Sequence, residues 1–220
     1  ADVDRTVITA NEILAKFGAG PVQEIMRDHP RVSVSLEGAQ REQSETFSSL
    51  LPMFILALFI IYALLAIPLR SYGQPLIIMS VIPFAFVGAV CGHIIMKALG
   101  LLDSMAIMSI QGIVAASGVV VNSSLVLVHA VNHRRADGMS VNEAVVEATV
   151  SRCRPILLTS LTTFAGLTPL LLNQSVQAGV LIPMATSVAW GVMLATVVTL
   201  LVVPAGYLIL DDAGARSSSG

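Results

Sequence analysis

Charge is what this chain of 220 residues has least of: Asp, Glu, Lys and Arg together make up 12%, about half the share of an ordinary soluble domain. None of them occurs between Pro155 and Leu210. That scarcity, with 55% hydrophobic residues, excludes a soluble globular fold and puts the chain in a membrane. Aromatic residues are also few, 5% with a single Trp, and the basic and aromatic interleaving that grips nucleic acid is missing. The net charge of −2 singles out no partner. Of the two cysteines, Cys91 lies in an apolar run and Cys153 beside a basic cluster, which gives neither metal-ligand spacing nor a disulfide framework. No Ser-His-Asp or phosphate-loop pattern is present, so neither an enzyme nor a cofactor or metal site is expected. The opening ADVDRTV lacks a signal-peptide pattern and reads as the interior of a longer chain.

What charge there is crowds the beginning, where half of it precedes Thr46. Residues 1–46 read as strand, helix and strand, with Gly18, Gly20 and Pro21 breaking the helix. Three such elements cannot bury a core and must dock on other material. Five apolar stretches follow, over about 50–69, 75–96, 105–131, 155–172 and 180–210, each near the roughly 20 residues that cross a bilayer. Between the third and fourth, residues 139–151 have the spacing of an amphipathic helix on the membrane surface, and residues 213–220 read as a disordered tail. The expected fold is mainly α, a polytopic bundle of five transmembrane helices with a short N-terminal α/β piece.

The third stretch, SIQGIVAASGVVVNSSLVLVHAV over 109–131, organises the rest. Gln111, Ala115, Gly118, Asn122 and His129 recur on one helical face, with Leu125 filling the remaining turn. A polar group in hydrocarbon costs several kcal/mol without a partner, so this small and polar face is expected to meet other helices or a hydrated path. Two readings stay open for Asn122, Ser123 and Ser124: hydrogen-bonding glue between helices, or a direct part in transport. Gly88-x-x-x-Gly92 reads as a site of close helix approach. Thr159, Thr163 and Gly166 share a face of the fourth stretch, as Ser187, Gly191 and Ala195 do of the fifth. His93 is expected to be interfacial or hydrogen-bonded, not a ligand.

Arginine fixes the expected sidedness. Arg70, Arg134, Arg135, Arg152, Arg154 and Arg216 fall in the linkers on one side, and only Lys97 in those on the other. The positive-inside bias puts the first set in the cytoplasm, so the N-terminal segment lies outside, in the periplasm of a bacterial inner membrane, with the C-terminus cytoplasmic. For Arg152 and Arg154 an anchoring role at the headgroups competes with a functional one.

YALLAIPLRSYGQPLIIMSVIPFAFVGA, GVVVNSSLVLV and RPILLTSLTTFAGLTPLLL, in this order, resemble the resistance-nodulation-division (RND) efflux permeases. The resemblance covers residues 31–212 and matches the C-terminal end of such a permease: the last part of a periplasmic porter subdomain with a ferredoxin-like fold, then membrane helices eight to twelve. It implies a proton-driven exporter of drugs or other small amphiphilic solutes, homotrimeric, lodged in the lipid bilayer. Its partners would be the N-terminal half of the permease, a periplasmic adaptor and an outer-membrane channel. In the family, acidic residues on the fourth membrane helix work with polar or basic residues on the tenth and eleventh. Asn122 stands where the multidrug branch has a lysine, Thr159 matches the relay threonine, and Arg152 matches a basic position near the cytoplasmic water path. Ser123 departs, since relatives often place Asp or Asn there. The same resemblance admits a lipid exporter, a helper of protein translocation, or a non-transporting scaffold.

Overall fold

The computed structural model describes residues 39–102, 107–173 and 175–218; the predicted strand–helix–strand of residues 1–46 lies almost wholly outside them. The chain divides into two units, Ala1–Leu50 and Leu51–Gly220. Every described element is helical: α1 (Ala39–Leu69), α2 (Gly73–Met79), α3 (Ile82–Ala98), α4 (Ile107–Ala136), α5 (Val141–Leu171) and α6 (Val176–Ser218). The boundary expected at residue 46 therefore falls inside α1, and α6 carries the helix through residues 213–218, where a disordered tail was expected.

Two prolines act differently from one another. Pro83 has no N–H to offer the Met79 carbonyl, and the second predicted crossing breaks there into α2 and α3, with Pro83 in the first turn of α3. The Ser80 hydroxyl covers one freed acceptor, donating to the Ile77 carbonyl at 2.7 Å. Pro155 was expected to start a membrane helix separate from a surface helix, yet α5 runs through it unbroken. The reason is packing: Ala144, Ala148, Ile156 and Ser160 are all buried at intervals of four or eight, so one inward stripe continues past the proline. Packing of that stripe outweighs the single lost hydrogen bond.

Helix ends follow their residues. Gly100 (φ +70°) and Gly138 (φ +90°) take the left-handed conformation after α3 and α4, and the amides of Leu101 and Met139 reach back to the carbonyls of Met96 and Arg134. Ser140 then caps α5, accepting from the Glu143 amide while the Glu143 carboxylate accepts from the Ser140 N–H and hydroxyl. Ser140→Ala is expected to cost about 1 kcal/mol of stability, read as a lowered Tm of the intact protein.

The long helix α6 is the hub, packing on α2, α3, α4 and α5. Its Trp190 meets Phe164 of α5 edge to face at 5.4 Å. Ile78, Val81, Val120, Leu127, Val128, Val192 and Val203 are fully buried. By contrast, among residues 50–69 of α1 only Leu65 and Leu69 are buried, while Leu51, Met53, Phe59, Leu64 and Ile67 are exposed. Among the described residues, four stretches are long and apolar enough to cross a membrane: Leu50–Leu69, Gly73–Ala98, Ile107–Ala136 and Leu181–Ala213. The fifth expected crossing, within α5, is not among them, because Thr159, Ser160, Thr162, Thr163 and Thr168 dilute its apolar residues. The chain is a polytopic membrane helix bundle.

Candidate functional site

The small and polar face of α4 points out of the bundle. Gln111, Ala115, Gly118, Asn122 and His129 are exposed, while Ser109, Gly112, Ala116, Ser117, Val120, Ser124 and Val131 on the opposite side are buried. The three adjacent polar residues of VVVNSS thus divide. Asn122 faces outward; Ser123, half-buried, donates to the Val119 carbonyl at 3.2 Å. Ser124 is fully buried and donates to the Val120 carbonyl at 2.9 Å. Both hydroxyls thus give their hydrogen to their own helix and keep only lone pairs for another partner.

On α5 the outward residues are Arg152, Thr159, Thr162 and Gly166. Thr159 donates to the Pro155 carbonyl of its own helix at 2.9 Å, and Thr163 donates to the Thr159 carbonyl at 2.8 Å. Asn122, Thr159 and Arg152 are therefore all exposed at the surface of this segment, and no hydrogen bond joins them to one another among the described residues. This arrangement leaves a polar surface open to a further partner, with Arg152 as its only charge among the three.

The small residues that hold the bundle together lie elsewhere. A Cβ on Gly88 would sit 2.7 Å from the Trp190 carbonyl, one on Gly191 would sit 3.0 Å from the Ala85 carbonyl, and one on Gly92 would strike the Trp190 ring. Gly92 makes room for the Trp190 ring, and Gly88 and Gly191 let α3 and α6 touch backbone to backbone. Gly112, which sequence reasoning passed over, does the same for α4 and α6, where a Cβ would strike the Met184 carbonyl. Gly118 and Gly166 have open space before them.

His93, expected to be interfacial or hydrogen-bonded, is hydrogen-bonded, and two further polar clusters escaped the sequence reading. His93 of α3 is buried, its Nδ1 2.8 Å from the Ala89 carbonyl and its Nε2 2.9 Å from the Ser109 hydroxyl. A carbonyl only accepts, so Nδ1 carries a hydrogen. Ser160 of α5 and Thr196 of α6 share a hydrogen bond at 2.5 Å. At one end of the bundle Gln74 and Asn132 pair their amides in both directions, at 2.8 and 3.2 Å, and the Tyr207 hydroxyl donates to the same Asn132 oxygen at 2.7 Å. Arg135 beside them pairs with Asp211 at 3.0 Å.

Residues 21–211 match the family model described as AcrB/AcrD/AcrF family. The chain belongs to the AcrB/AcrD/AcrF family. As a segment of an RND permease from this family, it is 29% identical over 209 residues to the swarming motility protein SwrC of Bacillus subtilis (strain 168), covering 92% of this chain and 19% of that one. It is 31% identical over 179 residues to the multidrug resistance protein MdtC of Erwinia amylovora, covering 80% and 17%. With the nickel-cobalt-cadmium resistance protein NccA of Alcaligenes xylosoxydans xylosoxydans it shares 34% over 150 residues, 68% and 14%. The crystal structure of a heavy metal efflux pump superposes with a TM-score of 0.69 at 25% identity, covering 89% of this chain and 20% of that one. The permease segment thus spans less than a fifth of the length of these curated relatives.

Proposed function

We propose that this segment is the coupling half of a proton-motive-force-driven exporter. Its polar face, Asn122 with Thr159 and Arg152, answers to carboxylates carried by the rest of the permease. The observation that carries the reading is the outward turn of that face. Asn122, Gly118 and Gln111 of α4 and Thr159 and Gly166 of α5 are exposed, in a segment spanning less than a fifth of its relatives' length. A polar face of this kind belongs against protein or water, not acyl chains.

Magnitudes fit a proton. Exporting a neutral solute against a hundredfold gradient takes roughly 2.8 kcal/mol, and one charge crossing 100 mV supplies about 2.3 kcal/mol. The four crossings and α5 hold no Asp, Glu or Lys in their apolar parts, so in this reading the titrating carboxylate lies on the companion half. Asn122 and Thr159 then supply hydrogen bonds that rearrange when that carboxylate is protonated, and the helices bearing them tilt. In this reading the protein sits in a bacterial inner membrane as a homotrimer with the arginine-rich end of the bundle cytoplasmic. A periplasmic adaptor and an outer-membrane channel complete the assembly. The relatives are named for drugs in one case and metal ions in another, so the segment is assigned to coupling and not to the choice of cargo.

The test is export by the intact protein in proteoliposomes under an imposed pH gradient. Cargo movement is expected to alkalinise or acidify the lumen in step with transport and to stop when a protonophore collapses the gradient. Equal export with and without the gradient would contradict it.

A further inference from the structure

At the end of the bundle where α1 turns into α2, an open cleft of about 540 Å³ is lined by Arg70, Gln74, His129, Asn132, His133 and Arg135, with Tyr207 behind them. Its hydrogen-bonding capacity is lopsided. The amide acceptors are engaged: the Asn132 oxygen takes bonds from both Gln74 and Tyr207, and the Gln74 oxygen takes one from Asn132. The donors are in excess. Arg70 has no carboxylate within 4 Å among the described residues, and Arg135 uses only Nη1, on Asp211 and Tyr207. Two guanidinium groups thus face one carboxylate, with two imidazoles beside them. The backbone of Arg70 is itself held at φ +48°, a left-handed conformation that is strained for a non-glycine residue. A group that only accepts and carries negative charge fits such a lining, and phosphate does both.

We propose that this cleft binds the phosphate of an anionic phospholipid headgroup, held by Arg70 and Arg135 with His129 and His133 beside them.

The position selects lipid over a soluble phosphate compound. Leu69, Gly73 and Ala136 are the ends of three membrane-crossing stretches, so the cleft lies at headgroup depth. Ile67, Tyr72 and Leu76 on the elements framing it are 77, 82 and 60% exposed, an apolar flank for acyl chains, with Tyr72 suited to the interface. The leaflet rests on the orientation proposed above: with the arginine-rich end cytoplasmic, the cleft opens on the leaflet that carries anionic lipid. Lipid binding itself needs no transport, so its failure and the failure of the exporter reading are told apart.

The experiment uses the intact protein that carries this segment, in nanodiscs of phosphatidylcholine alone or with phosphatidylglycerol. Thermal unfolding and native mass spectrometry of retained lipid are the readouts. Wild type is expected to gain thermal stability with phosphatidylglycerol and to retain it in preference to phosphatidylcholine. Arg70→Gln should weaken that preference about fivefold while unfolding at the wild-type temperature in phosphatidylcholine. Arg70→Lys should keep most of the preference, and His133→Gln, an exposed substitution, should lose part of it. A preference unchanged in both Arg70→Gln and His133→Gln would overturn the proposal. Inorganic phosphate added to phosphatidylcholine nanodiscs is the second arm: an equal stabilisation there, lost in Arg70→Gln, would overturn the lipid assignment.

Discussion

Gly112→Leu is expected to remove the folded protein from the membrane, seen as loss of the monodisperse peak of the intact permease after detergent extraction and a fall in Tm. The obstacle is backbone. A Cβ at Gly112 would strike the Met184 carbonyl and lie 2.7 Å from the Ser187 Cβ, on the helix that every other core element packs against. Overpacking a core costs about 1–3 kcal/mol when side chains can give way, and a carbonyl held in a helix gives way least. Gly88→Leu should behave alike, since its Cβ would sit 2.7 Å from the Trp190 carbonyl. Gly118→Leu meets nothing within 4 Å and is expected to leave Tm of the bundle within about 2 °C unless the companion half covers it. A Gly112→Leu protein as abundant and stable as wild type would show that α4 and α6 do not approach this closely.

Asn122→Leu is expected to cut proton-coupled export about 10- to 100-fold while expression and Tm stay near wild type. Asn122 is exposed on this segment and supports no buried neighbour, so its loss leaves the core untouched. Removing one hydrogen bond to a charged group costs about 1.5–3 kcal/mol, which is one to two factors of ten in a rate if the bond forms at the coupling step. Thr159→Val should have a smaller effect, because the Thr159 hydroxyl donates to the Pro155 carbonyl of its own helix and offers a partner only its lone pairs. Undiminished export by an abundant Asn122→Leu protein would reject the coupling role, and a gain in stability would place Asn122 in lipid.

Much of this was legible in the residues. Stretches of apolar residues located four crossings to within about five positions, because length and hydropathy decide a membrane span, while α1 and α5 begin well before the apolar stretches they contain. The outward stripe of α4 was legible as a stripe, since a period of 3.6 fixes which residues share a face. Which way it faces was not, because a helix with Asn122 on one side and Ser117 and Ser124 on the other has polar groups on both. The inward choice was made by small residues, Gly112 and Ala116, that let α6 approach. Pro83 and Pro155 look alike in sequence and differ only in what packs beside them. The Gln74–Asn132 pair joins residues 58 apart, and no local pattern announces such a partner. His93 showed itself as a polar residue in an apolar run, but Ser109, sixteen positions on, could only be matched to it once α3 and α4 were side by side.

The central claim is that the Asn122 face meets the rest of the permease and not lipid. A nitroxide placed at position 122 of the intact protein, with Cys91 and Cys153 replaced, measures this by its accessibility to oxygen, which partitions into acyl chains. A second label at Phe59, on the exposed side of α1, sets the lipid-facing reference. The account predicts oxygen accessibility at 122 well below that at 59, and higher accessibility to a water-soluble relaxant when the pH gradient is applied. Equal oxygen accessibility at the two positions, with no response to pH, would contradict it.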